Sequence, residues 1–391
     1  LKGKLVLVIT IALFSLFFLS PFVVQASPPD EQIVQKQVET LGIDEIQQYW
    51  NDIVTKYGGF LPESQKGSFV QFLSGQKEWS LKEWIMAFLK FIFYELQTNG
   101  KLLGTLILLT VFSMFLQSLQ NAFEQQAVSK VAYAVVYMVL IIIALNSFRL
   151  AMEYAHEAIQ TMSHFMIAMI PLLLALLASS GGLISAAFFH PIILFLMNTT
   201  GMVVEYVTLP LLFLAALLSI VSTMAEHYKV TQLAELFTKV AIGTLGVILT
   251  IFLGVMSVKG TTSAIADGIA LRTAKFVTGN FVPVVGKMFT DATDTVVTAS
   301  MLLKNTVGMV GVAVLLMIAL FPALKIFVIA FIYKLSAAVL QPLGGGPVIS
   351  CLSIISKSIT YIFAALAIVS LMFFLSLTVI ITAGNITMMV R

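Results

Sequence analysis

Two long apolar stretches, residues 203–225 and 359–383, settle what kind of chain this is before any motif is considered. A bilayer core about 30 Å thick is spanned by roughly 20 helical residues of this kind. The rest of the composition agrees, with 59% of the 391 residues apolar, 10% charged and a mean hydropathy of +1.00. A soluble domain carries about a quarter charged residues, so the charge here is too sparse to cover a water-facing surface. The composition excludes a soluble enzyme, a coiled coil and a disulfide-stapled secreted domain, since Cys351 is the single cysteine. The fold class expected is an all-α, polytopic helical membrane bundle. A net charge of +3 gives no argument for nucleic acid as a partner.

Charge divides the chain into three blocks. Residues 1–26 carry Lys2 and Lys4 and no acid, residues 27–100 carry six lysines against ten acids, and residues 101–391 carry fourteen basic residues against nine acids. The first block has a basic start, an apolar run over 5–19, the breaker Ser20-Pro21 and the small-residue ending Val24-Gln25-Ala26. That order predicts a secretory signal peptide; a retained first membrane helix is the alternative. Cleavage would leave 27–100 as a small extracytoplasmic helical segment. Within it, apolar residues fall at helical spacing over 33–41 and again at Ile43, Ile46, Tyr49, Trp50 and Ile53. A third amphipathic stretch runs over 79–96, with Leu81, Trp84, Ile85, Phe88, Leu89 and Ile92 on its expected apolar face and Lys82, Glu83, Lys90 and Glu95 on its polar side. Trp79 and Trp84 suit either a headgroup-level anchor or packing on neighbouring helices.

Membrane spans are expected at 102–119, 131–148, 203–223, 240–258, 307–331 and 359–383. The first two form a pair within 101–149. Two shorter runs, 165–178 and 183–197, flank Ser179-Ser180-Gly181-Gly182 and suit a re-entrant hairpin or two tilted helices. The hexapeptide Asn198-Thr199-Thr200-Gly201-Met202-Val203 recurs as Asn305-Thr306-Val307-Gly308-Met309-Val310, with five of six positions identical at an offset of 107. Flanking prolines agree in kind, Pro171 with Pro283 upstream and Pro210 with Pro322 downstream. Two diverged internal repeats are therefore expected, over 150–258 and 259–391. The second departs from the first in the charged stretch 264–304, with Lys287, Asp291, Asp294 and Lys304, which cannot face lipid and must line water, lie on the surface or pair with other subunits. A cleaved signal would place 120–130 and 224–239 inside and the basic stretch 259–304 outside, against the positive-inside rule.

The residues singled out for a path through the membrane, or for packing around it, are few. Glu205 is the one acid well inside an expected span, and it suits a pore-lining group or a span that starts three residues later. Lys325 is its candidate partner across the repeat interface, with snorkelling or a helix break at Pro322 as alternatives. Asn198 and Asn305 can bond between helices where Gly201 and Gly308 permit close approach. Gln341-Pro342-Leu343-Gly344-Gly345-Gly346-Pro347 is expected as a hinge, and lacks the lysine and hydroxyl of a phosphate loop. His156 and His164 share a face with Glu153 and Glu157, but the simpler reading is a solvated face. No set of residues is assigned as catalytic, cofactor-binding or metal-binding.

The signal segment, the acidic helical stretch, the repeated hexapeptide and the Gln-Pro-Leu-Gly-Gly-Gly-Pro turn together resemble the stage III sporulation protein AE family of endospore-forming bacteria, over essentially the whole length. The resemblance implies a non-enzymatic, multi-pass subunit of a channel complex joining the mother cell to the forespore, in the mother-cell-derived membrane. Its implied partners are the other proteins of that operon, including a secretion-type ATPase and ring-forming proteins, with residues 27–100 facing the intermembrane space. Three roles are open at this point: a gate or conduit subunit, an autonomous secondary transporter, or a membrane scaffold for the rings.

Overall fold

The computed structural model describes residues 44–62, 81–122, 127–224, 230–281, 285–343 and 346–389; the expected signal segment and the helical stretch over 33–41 lie outside the described residues. The elements are α1 (Asp44–Tyr57), α2 (Leu81–Thr98), α3 (Gly100–Ala122), α4 (Ala127–Ser179), α5 (Leu183–Val203), α6 (Leu209–Met224), α7 (Thr231–Phe281), α8 (Val285–Leu340) and α9 (Pro347–Met389). A π-helical turn, Val204–Thr208, joins α5 to α6 without a break. The chain is thus an all-α, multi-pass bundle, with six helices long and apolar enough to cross a membrane.

Each of those six holds one expected span, but the helices are far longer than the spans. The apolar stretch of α4, Val131–Ser179, has 49 residues, about 74 Å at a rise of about 1.5 Å per residue. The runs 131–148 and 165–178 are therefore two ends of one helix, and 183–197 continues through the π turn into α6. The cause lies in residues 149–164, which contain no glycine or proline and place Ala151, Ala155, Ala158, Ile159 and Met162 on one buried stripe. A helix breaks only where its backbone or its buried face is interrupted, and neither happens there. The expected hairpin turn is present at its expected place. Gly181 adopts φ 92°, the amide of Gly182 donates to the carbonyl of Leu177 at 2.9 Å, and a non-glycine residue at 181 would be strained.

Contacts between helices sort the bundle into two apolar tiers separated by a polar belt. At the lower end Tyr137 of α4 meets the Thr223 hydroxyl of α6 and the Pro347 carbonyl of α9. At the upper end Asp267 of α7 meets the start of α5, and Gly308 of α8 packs on Ile381 of α9. Helix α3, with a 19-residue apolar stretch, ends near this lower junction, where Gln117 lies against Gly346. Helices α4, α8 and α9 form the centre, where Ile326, Tyr333, Ile355, Ile359, Ile362, Leu366 and Val369 are fully buried.

Helix α2 lies differently from its expected placement. Its buried stripe is Trp84, Ala87, Phe91 and Glu95, whereas Ile85 and Leu89 are about half exposed. The helix is apolar almost all round, so spacing alone left its inner face undetermined, and Glu95 turns inward because α8 supplies it with a cation. In α1 the expected face holds, with Ile46, Trp50 and Ile53 buried.

The two hexapeptides bury matching positions, Thr200 and Gly201 in one and Val307 and Gly308 in the other, with Met202 and Met309 exposed. Their glycines differ. A Cβ on Gly308 would fall 2.5 Å from Ile381 Cγ1, whereas one on Gly201 would meet nothing within 4 Å. Gly308→Ala is expected to cost about 1–3 kcal/mol through overpacking. Gly201→Ala should cost nothing and gain up to about 1 kcal/mol of helix propensity. Thermal unfolding of the two detergent-solubilised variants, side by side, checks the contrast.

Candidate functional site

The belt begins with the spacing of polar residues in α4. Arg149, Glu153, His156 and Gln160 recur at four, three and four residues, which puts them on one outward stripe. Tyr154 and Glu157 turn toward α1, α2 and α8. On the outward side the π turn inserts Glu205 opposite the stripe, where its Oε1 accepts a hydrogen bond from Gln160 Nε2 at 3.2 Å and lies 3.1 Å from His156 Nδ1. A π turn widens the helix by one residue and re-aims a side chain, a device common at functional positions. The Glu205 side chain is 18% exposed and that of His156 44%, so the group opens to the outside of the bundle rather than to its centre. One turn below, Arg149 Nε donates to Glu153 Oε1 at 2.8 Å.

The inward half of the belt holds Lys325. Its Nζ lies 3.9 Å from Glu95 Oε1 and stands over the rings of Tyr154 and Tyr57, at 5.1 and 5.9 Å. Lys325 and Glu205 share the belt but are not brought together, because they lie on opposite sides of α4. Burial pushes the Glu95 carboxyl above its ordinary value, opposed by Lys325 and by Asn99, whose Nδ2 donates to Glu95 Oε2 at 3.2 Å. Burial also pushes the Tyr57 phenol up to about 12, helped by the charges of Glu157 and Glu95. Tyr57 stacks on Phe321 with centroids 4.1 Å apart, and Phe91 meets Phe321 edge-on at 5.0 Å. Lys56 bonds Glu157 at 3.1 Å on the surface beside them. Aromatic packing and ion pairs together fasten α1 and α2 to the middle of the bundle.

Of the remaining candidates, Asn198 is exposed, and Asn305 keeps its Oδ1 buried without a hydrogen-bond partner among the described residues. His156 is engaged with Glu205, Glu153 with Arg149 and Glu157 with Lys56. Cys351 is buried.

One group escaped the reading of the sequence, and a second lies where that reading did not put it. Asp267 is 1% exposed, and its carboxylate accepts the amides of Ile184 at 2.8 Å and Ser185 at 3.1 Å. It caps α5, whose own N-cap residue, Gly182, offers no side chain. The available signal was an acid in a charged stretch together with a helix start that follows two glycines. Lys304, expected to line water, lie on the surface or pair with other subunits, is instead wholly buried on α8, and its Nζ has no hydrogen-bond partner among the described residues. Lys304 immediately precedes the second hexapeptide, and the residue at the matching place before the first is Met197, also buried.

A family model described as Stage III sporulation protein AE matches residues 64–384. The chain is 67% identical over 361 residues to a protein of Bacillus subtilis (strain 168) named Stage III sporulation protein AE, covering 92% of this chain and 90% of that protein. No solved structure matches it.

Proposed function

Because the chain belongs to the stage III sporulation protein AE family, we propose that it serves sporulation as a gate or conduit subunit of a membrane channel complex between mother cell and forespore. In this reading the lower tier lies in the bilayer of the mother-cell membrane around the forespore. Supporting this seating, α3 is of single-span length and occupies only that tier, and Leu108, Phe112, Phe115, Val135, Met138 and Ile142 face outward from it. The belt then sits at one headgroup level, where charged and aromatic side chains are favoured. The upper tier and the docked α1 and α2 project into the intermembrane space, toward the ring-forming proteins of the same operon, with the operon's secretion-type ATPase as a further partner. Exposed Ile167, Phe188 and Phe195 on the upper tier suit cover by such neighbours.

The observation that carries the conduit reading is the outward-opening polar belt around a filled apolar centre. A carrier working alone needs a substrate cavity among its own helices, yet α4, α8 and α9 fill theirs with leucine, isoleucine and phenylalanine. Groups able to line water, Glu205, His156 and Gln160, face the outside, so a path between subunits fits them better.

The test uses the assembled complex. With Gln160→Cys or Glu205→Cys, a membrane-impermeant maleimide should react and then reduce tracer passage several-fold, whereas the same reagent on Phe112→Cys should not. Complexes lacking this subunit that still passed tracer at the normal rate would refute the conduit role.

A further inference from the structure

Opposite sides of the lower tier carry faces that fit each other. One face belongs to the antiparallel pair α8 and α9, which pack where the Ser356 hydroxyl donates to the Ala330 carbonyl at 2.9 Å. In two antiparallel right-handed helices, the residues one step past such a contact turn to the same side. Phe331 and Lys357 therefore share a face, joined by Phe327 and Lys334 along α8. Phe327 and Phe331 are 43% and 42% exposed and stack on one another, with Phe363 against Phe327 at 5.9 Å. Lys334 and Lys357 are exposed, and neither has an ion-pair partner among the described residues. Lys357 lies over the Tyr361 ring.

The other face is the outward side of α4 with α6, across the bundle centre. A shallow apolar groove runs there between Ile142, Leu145, Leu217 and Val221, and continues past Arg149, Met152 and Phe213. Glu153 stands exposed above it, beside Arg149. The heights agree. Tyr333 bonds Ser147, and Lys325 meets Tyr154, so Phe327 and Phe331, which lie between Lys325 and Tyr333, come level with residues 147–154 of α4. Lys357, one step from the Ala330 contact, lies within about a helical turn of Glu153 in height.

We propose that copies of this chain associate head to tail in the membrane, Phe327 and Phe331 of one copy filling the α4–α6 groove of the next while Lys357 approaches that copy's Glu153. The bilayer holds every copy at one depth, so faces matched in height meet without tilting. Two lysines on an apolar face within a bilayer tier favour a carboxylate nearby, and the groove side carries Glu153, which Lys357 would share with Arg149. Unlike faces give a ring where the rotation closes. The inference rests on the seating of the lower tier in the bilayer, not on conduction.

Disulfide trapping of the full-length chain in native sporulating membranes, with Cys351→Ala as background, tests it. Phe331→Cys together with Leu145→Cys on one chain should give a ladder of cross-linked oligomers. Each variant alone should give none, and a mixture of the two single variants should give one dimer band. Lys357→Glu on the Phe331→Cys chain should cut that dimer at least tenfold, and Glu153→Lys on the Leu145→Cys chain should restore it. Dimers from Phe331→Cys alone, cross-links only to another protein, or charge reversal without effect would overturn the proposal. Lys357→Arg, with membrane levels followed throughout, guards against loss through misfolding. Sidedness labelling of the α3 ends reads the bilayer seating separately, and would stand if head-to-tail association failed.

Discussion

Phe321→Ala is expected to release both α1 and α2 from the bundle at a cost of about 3–5 kcal/mol, the range for emptying a buried aromatic site. The side chain is 1% exposed. It takes Tyr57 of α1 on its face at 4.1 Å, and Phe91 and Phe88 of α2 on its edge at 5.0 and 6.2 Å. Its removal opens a cavity where the three helices meet. The flanking links are weak by comparison: the Lys56–Glu157 pair is exposed and worth under about 1 kcal/mol. Hydrogen exchange on the detergent-solubilised protein should show α1 and α2 losing protection together while the centre of α9 keeps its own. Phe115→Ala, at a site 57% exposed, should do neither. In a double-mutant cycle, Tyr57→Leu and Phe321→Leu should couple by about 0.5–1.5 kcal/mol. Coupling near zero would mean that the stack does not hold α1.

The second large effect runs in the opposite direction. Lys304→Met should raise stability by about 2–4 kcal/mol, because a buried amine without a hydrogen-bond partner among the described residues carries a desolvation cost that those residues do not offset. Methionine is the residue already buried at the matching place just before the first hexapeptide, Met197, and it is flexible enough to occupy the volume a lysine stem leaves. The readout is a shift of several degrees in the thermal unfolding midpoint. An unchanged or lowered midpoint would show that the amine has a partner in the assembled membrane. A raised midpoint with fewer heat-resistant spores would show that the chain keeps the charge for function at the expense of stability.

Local signals were legible to different depths in different elements. The turn over 179–182 could be placed because Ser-Ser-Gly-Gly interrupts an apolar run and only glycine accepts the backbone at Gly181. In α1 the apolar residues Ile46, Trp50 and Ile53 sit on a strongly amphipathic helix, so its inner face could be read. In α2 the same reasoning chose Ile85 and Leu89, which are exposed, because apolar residues occur on every side and spacing no longer discriminates. Glu205 stood out as an acid in an apolar stretch, but the π turn that aims it, and Gln160, 45 positions away, that donates to it, leave no periodic trace.

The sequence by itself determined the solvent this protein folds in, the six apolar spans, the turn over 179–182 and the family to which it belongs. All of these depend on composition, on short-range backbone chemistry, or on the order of residues along the chain. Only the tertiary structure decided that 149–164 would join two apolar runs into one helix, that Lys325 would face Glu95 rather than Glu205, and that Asp267 would cap α5. Those outcomes depend on which helix faces come together across the bundle. In a chain 59% apolar, many pairings bury similar area, so the few polar groups, satisfied in one arrangement, select among them.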